Sequence, residues 1–212
     1  LSEKYEIHPQ KTLGIFTGLL IYYYFLQRNL VPSQLFKESF LSIILVLVSL
    51  IYIVELYRNK EKPFLNIAST IFGVIYVVIP FSFLVELGHY KTMYEPNLIL
   101  GIFFLIWCND TFAYLVGSLI GKRKLMPRIS PGKSWEGFIG GGFFTLVLAW
   151  FLLDLLPFMR GINRIDWMVI GVIIFSLGTI GDLIESMFKR STGVKDSGKI
   201  MAGHGGVLDR FD

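Results

Sequence analysis

The chain has 212 residues, 53% of them hydrophobic and only 17% charged, where soluble domains carry about a quarter of charged residues. With a mean hydropathy of +0.59 and 19 Phe, 10 Tyr and 4 Trp, this composition excludes an ordinary soluble domain and fits a polytopic membrane protein. The net charge of +4 is modest and its distribution matters more than its sum; no nucleic-acid partner is expected, and a single cysteine, Cys108, excludes an internal disulfide.

The polar start, Ser2-Glu3-Lys4, follows a leucine rather than a methionine and reads as no cleavable signal peptide. The chain is therefore expected to be a fragment of a longer protein, cut at both ends. A spanning helix needs about 20 mostly apolar residues. Six segments qualify: 12–27, 38–57, 64–87, 97–120, 137–156 and 167–188. The first is short. The third carries Pro80, which lacks a backbone donor and should kink it. Strand-length alternation of apolar and polar residues is absent, which argues against a β-barrel. The expectation is an all-α, polytopic transmembrane helical bundle of about six spans: one integral membrane domain over 1–212, with N-terminal spans in 1–95 and a catalytic part in 97–212.

Orientation follows from lysine and arginine. Taking the connections alternately, one side holds 15 of these residues and the other 5. The rich side, with loops 121–136 and 189–212, is expected to face the cytoplasm.

Ionisable groups inside hydrocarbon cost about 2.5–3.5 kcal/mol each on insertion scales, so each asks for a reason. Asp110 lies a little past the middle of the fourth span; Asp182 and Glu185 lie near the cytoplasmic end of the sixth, three residues apart and so on one helix face. An interhelical hydrogen bond or snorkelling to the interface is the competing explanation. Glu55, Glu86 and Asp154, at span ends, read as interfacial residues.

Between the fourth and fifth spans, Gly121-Lys122-Arg123-Lys124 reads as a basic anchor for anionic headgroups. Ser130-Pro131-Gly132-Lys133-Ser134 reads as a tight turn ending in hydroxyls and a lysine just before a span, a place where backbone amides favour phosphate. It is not a nucleotide P-loop, because the first glycine of that motif would fall on Pro127 and no strand precedes it. Gly137, Gly140, Gly141 and Gly142 then let the fifth helix approach a neighbour closely.

The last 27 residues hold the densest chemistry. Asp182 and Asp209 are each placed to give Mg²⁺ an oxygen ligand, and Asp196 and Asp212 can extend that shell. Lys189, Arg190, Lys195 and Arg210 can clamp phosphoryl charge. His204, flanked by Gly203, Gly205 and Gly206, is open to three readings: a base, a donor to phosphate, or a polar loop residue.

Ser186, Lys189-Arg190, Lys195-Asp196, Gly203-His204-Gly205-Gly206, Asp209-Arg210 and Asp212 together resemble the signature of the bacterial phosphatidate cytidylyltransferases, the CDP-diacylglycerol synthases. Asn109-Asp110-Thr111-Phe112-Ala113-Tyr114, Gly117 to Gly121, and Ser130 to Phe138 resemble upstream segments of that family, so the likeness runs from about residue 100 to the end. Met201 and Ala202 stand where the family has an aliphatic residue and a proline. The resemblance implies attack of phosphatidate on the α-phosphorus of CTP, with release of pyrophosphate and a requirement for Mg²⁺, with room for a second cation. It implies Asp182 and Asp209 as metal ligands; Asp110, expected to be buried near the same cavity, is a further candidate to support a metal through water. Lys133, Lys189 and Arg190 would hold phosphates, and Asp196, Arg210 and Asp212 would orient that shell. Ser130, Ser134, Lys195, His204, Gly205 and Gly206 are further substrate-binding candidates. The implied setting is the bacterial inner membrane, the implied partners are CTP, phosphatidate and the lipid bilayer, and a homodimer is allowed. Two other readings fit less of the pattern: a CTP-dependent polyprenol or dolichol kinase, and an ion-coupled transporter using Asp110 and Asp182.

Overall fold

A computed structural model describes residues 6–28, 34–89, 95–156, 162–191 and 193, with the side chains of 34–38 left aside. The chain divides into two compact units, Leu1–Glu95 and Pro96–Asp212.

The first unit holds α1 (Lys11–Arg28), α2 (Gln34–Arg58) and α3 (Pro63–Gly88). Pro80 leaves α3 unbroken. The strain of its ring and missing donor is taken up by a π-helical turn just upstream, Val74–Val78, whose looser winding accommodates a residue that cannot donate. Helix α1 packs tightly along α3: a Cβ on Gly18 would stand 2.8 Å from Val78 Cγ2.

Where the segment before α1 meets α2 and α3, a polar cluster is buried. Glu55 is 3% exposed. Its carboxylate accepts from Gln10 Nε2 at 2.8 Å, Asn66 Nδ2 at 2.6 Å and Arg58 Nη1 at 2.8 Å. Thr70 Oγ1 accepts from Gln10 N at 2.9 Å, and Asn66 Oδ1 accepts from His8 N at 2.6 Å. The sequence reading of Glu55 as an interfacial residue is therefore corrected: it is the hub that ties residues 8–10 to two helices. Its three donors come from three separate stretches of chain, which periodicity along one helix does not reveal.

The second unit holds α4 (Pro96–Ile120), the antiparallel hairpin of β1 (Lys124–Met126) and β2 (Ser130–Ser134), α5 (Trp135–Leu155) and α6 (Arg164–Ser191). Helices α4 and α5 meet through small residues. A Cβ on Gly141 would stand 2.9 Å from the Asn109 carbonyl oxygen, and one on Gly140 would stand 2.7 Å from Val116. Phe112 and Phe144 stack beside this seam with centroids 3.9 Å apart. Gly142 receives the Phe175 ring of α6, and Gly101 lies against the fully buried Trp167. Gly140, Gly141 and Gly142 thus pack as the sequence indicates.

Among the described residues, five helices are long and apolar enough to cross a membrane: Ser39–Arg58, Pro63–Gly88, Pro96–Ile120, Trp135–Leu155 and Arg164–Ser191. The all-α polytopic membrane architecture holds, with five such helices rather than six. Helix α1 falls short because Tyr22, Tyr23 and Tyr24, with Lys11, Gln27 and Arg28 at its ends, dilute an 18-residue helix.

Candidate active site

The sequence reading places a tight turn over 130–134. These residues instead form β2, and the chain reverses at 127–129, where Ile129 N donates to Met126 O at 3.1 Å. Lys124 pairs with Ser134 and Met126 with Ser130, so the register slips by two residues within the hairpin. The slack falls in β2, where Pro131 has no N–H to give the ladder and Gly132 follows it.

Two devices fix the hairpin to the start of α5. Trp135 N donates to Arg123 O at 2.9 Å, and Arg123 N donates to both oxygens of Glu136 at 3.2 Å. Ser134 is the N-cap of α5: its Oγ accepts from Gly137 N at 3.1 Å. At 4% exposure, and with the backbones of Gly117 and Gly121 against it, that hydroxyl is committed to joining α4 and α5 rather than open to a ligand. Ser130 is half-buried on the same strand. Sequence reasoning missed the Ser134 cap and the Glu136 clamp, although a serine three residues before a free backbone amide, with an acidic residue in the first helical turn, is the usual signature of such a start.

The hairpin lies along the last turns of α6. Lys133 Nζ forms an ion pair with Asp182 Oδ2, and Arg190 Nε donates to Ile129 O at 3.5 Å. Ile129 precedes Lys133 along the hairpin, whereas their partners Arg190 and Asp182 run in the reverse order along α6. The hairpin edge from 129 to 133 therefore runs opposite to α6. Ser186 Oγ donates to Asp182 Oδ1 at 3.4 Å, and Lys189 Nζ pairs with Glu185 Oε2 at 2.8 Å one turn further on. A π-helical turn at Ile174–Gly178 precedes this stretch. One extra residue in a turn rotates everything after it by about 100°, so the face that Asp182 and Glu185 present is set by that turn as well as by their spacing.

Lys133 and Asp182 are thus brought together by β2 and α6, while Lys189 and Arg190 lie further along α6, engaged with Glu185 and with Ile129 O. Asp110 is on α4, exposed rather than buried as the sequence reading has it, with Asn109 Nδ2 at 3.4 Å from Oδ1. Burial on α4 goes instead to Asn109, which faces Gly141 of α5. Lys195, Asp196, His204, Gly205, Gly206, Asp209, Arg210 and Asp212 lie outside the described residues.

Among the described residues no three His, Cys, Asp or Glu side chains form a cage that could hold a metal ion. The Asp182 carboxylate still suits a hard cation: it offers charged oxygens, has a hydroxyl alongside, and already draws a positive group to Oδ2. A complete magnesium shell would need a further ligand such as Asp209 or the phosphates of a nucleotide.

The sequence matches the profile of the cytidylyltransferase family over residues 2–212. It is 45% identical over 172 residues to a phosphatidate cytidylyltransferase of Staphylococcus aureus (strain COL), covering 78% of this chain and 63% of that protein. It is 38% identical over 202 residues to the phosphatidate cytidylyltransferase of Staphylococcus haemolyticus, covering 94% and 74%. It is 50% identical over 120 residues to that of Haemophilus influenzae, covering 54% and 41%. The chain thus spans less than two thirds of the length of the S. aureus relatives. Matching that profile over almost its whole length, this chain belongs to the cytidylyltransferase family.

Proposed function

We propose that the protein transfers the cytidylyl group of CTP to phosphatidate at the membrane surface, giving CDP-diacylglycerol and pyrophosphate. The observation that carries this reading is the Lys133–Asp182 pair, which places a cation fit for phosphate beside a carboxylate fit for a metal. The names of the matched relatives point the same way.

An oxygen of the lipid phosphate forms a bond to the α-phosphorus of CTP as the bond from that phosphorus to the bridging oxygen of the β-phosphate breaks; the electron pair leaves with pyrophosphate. The lipid phosphate is anionic at neutral pH, so no strong base is required. Positioning and charge neutralisation then carry the rate. Asp182 and Asp209 would hold Mg²⁺, with Asp110 supporting it through water, and the ion when bound would supply charge neutralisation on the phosphates. Lys133, Lys189 and Arg190 hold phosphate oxygens. Arg190, whose Nε is spent on Ile129 O, keeps its terminal nitrogens for that task. Lys195, His204, Gly205 and Gly206 complete the substrate contacts, and Asp196, Arg210 and Asp212 orient them. Ser130 flanks the lipid phosphate, whereas Ser134 acts only by holding the start of α5.

The basic loops face the cytoplasm in this reading, where CTP is found, while the acyl chains of the lipid remain in the bilayer. The experiment supplies full-length protein in mixed micelles with phosphatidate and CTP labelled in the cytosine ring. Label moving into the lipid together with pyrophosphate release supports the proposal. Release of CDP with phosphorylated lipid would show a kinase instead, and neither product would refute both.

A further inference from the structure

Asp182 is not idle in this structure. Its two carboxylate oxygens are met by this chain's own groups, Oδ2 by the Lys133 ammonium and Oδ1 by the Ser186 hydroxyl at 3.4 Å. An ammonium in contact with Oδ2 occupies the space and neutralises the charge that a divalent cation would use, so the two compete for one oxygen. Little else needs to move when the contact opens. The backbone of the hairpin is held independently by Arg190 Nε on Ile129 O, by Trp135 N on Arg123 O, and by Arg123 N on Glu136. Lysine carries its charge on a flexible stem, so Nζ can leave Asp182 while β2 stays in place. Both side chains are partly exposed, 28% for Lys133 and 35% for Asp182, so a hydrated ion has a route to the pair.

We propose that Lys133 is a built-in counter-ion of Asp182 that a divalent cation displaces, and that the freed ammonium is then the group that meets the phosphates of the nucleotide. This inference rests on the reading of Asp182 as a metal ligand given above. It makes metal binding and phosphate binding one coupled event: before the cation arrives the lysine is withheld from anions, and afterwards both charges point at the same triphosphate. Adventitious anions such as inorganic phosphate then meet a site whose Lys133 is already engaged.

The test titrates Mn²⁺ into full-length protein in detergent, without nucleotide, and follows bound ion by electron paramagnetic resonance. Lys133→Met is expected to tighten Mn²⁺ binding about 5-fold, the size appropriate to removing one partly screened competing charge. Lys133→Arg, which keeps the charge, is expected to stay within about 2-fold of the unmodified protein. Asp182→Asn is expected to abolish the tight site in either background. Unchanged or weaker binding in Lys133→Met, with Asp182→Asn still abolishing it, overturns the displacement and leaves the metal role standing. Full Mn²⁺ binding in Asp182→Asn overturns the metal role itself. A second measurement needs no variant: mass spectrometry of the unmodified protein treated with an amine-acylating reagent. Modification of Lys133 should rise on saturation with Mn²⁺, and no rise sinks the proposal even if Lys133→Met fails to fold.

Discussion

Arg190, near the end of α6, reaches Ile129 in the turn of the hairpin, 61 residues away in sequence, and donates Nε to its carbonyl at 3.5 Å. In the function proposed above, the terminal nitrogens hold phosphate while Nε is bound to the protein. Lysine has a single ammonium and cannot serve both. Arg190→Lys should therefore lower kcat/KM for CTP by roughly 10-fold, about 1.4 kcal/mol of transition-state binding, while the thermal midpoint moves little. Steady-state kinetics on the full-length enzyme check this; unchanged kinetics would reduce Arg190 to a surface cation.

Asp182 is only partly buried, and an exposed ion pair contributes about 0–1 kcal/mol to stability. Asp182→Asn should accordingly leave the folded protein intact in a melting experiment. Cytidylyl transfer should nevertheless fall by at least roughly 100-fold, in line with the loss of a charge that acts on the reacting phosphates, and excess Mg²⁺ should not restore it. Activity within a few-fold of normal would remove Asp182 from the site.

Ser134 provides the opposite case. Its hydroxyl caps α5 through Gly137 N, so Ser134→Ala should cost about 1 kcal/mol of stability, and Ser134→Gly only roughly a few tenths. Thermal melts of the two variants decide the matter. A variant with normal stability and lost turnover would mean the hydroxyl touches substrate after all.

Glu55 gathers donors from Gln10, Asn66 and Arg58 in a buried place. Removing a carboxylate and leaving such donors unpaired costs about 3–5 kcal/mol for a buried ion pair. Glu55→Ala should thus weaken the first unit, with early proteolysis around residues 6–10 as the readout, whereas Glu55→Gln should be milder because it retains an acceptor.

At the seam of α4 and α5, a Cβ on Gly141 would meet Ala113 Cβ and the Asn109 carbonyl oxygen, each at 2.9 Å. Both neighbours belong to a packed helix and have no room to retreat. Gly141→Val should therefore destabilise the protein by about 1–3 kcal/mol through overpacking, seen as a lower melting midpoint in detergent.

The helices were legible in the one-dimensional pattern because an apolar run of spanning length has few alternatives in a bilayer: every backbone group must be bonded within its own segment. That reasoning located α2 to α6 to within a few residues, and the close glycine contacts of α5 besides. It overrated α1, whose tyrosines lower its hydropathy. The charged residues proposed for the site are legible as candidates, since Lys133, Asp182, Lys189 and Arg190 stand out against apolar surroundings. Their pairing was not. Whether Lys133 meets Asp182, whether Ser134 turns inward as a cap, and whether Glu55 is surface or hub all depend on which distant backbones come alongside. The 121–134 stretch shows the reason most plainly. Pro131-Gly132 reads locally as a turn, yet the ladder with β1 and the clamp from Glu136 hold it extended. Membrane insertion acts on each segment's own composition, so the amino-acid sequence alone determines the spans; side-chain partners are chosen by contacts between segments, and only the tertiary structure decides those.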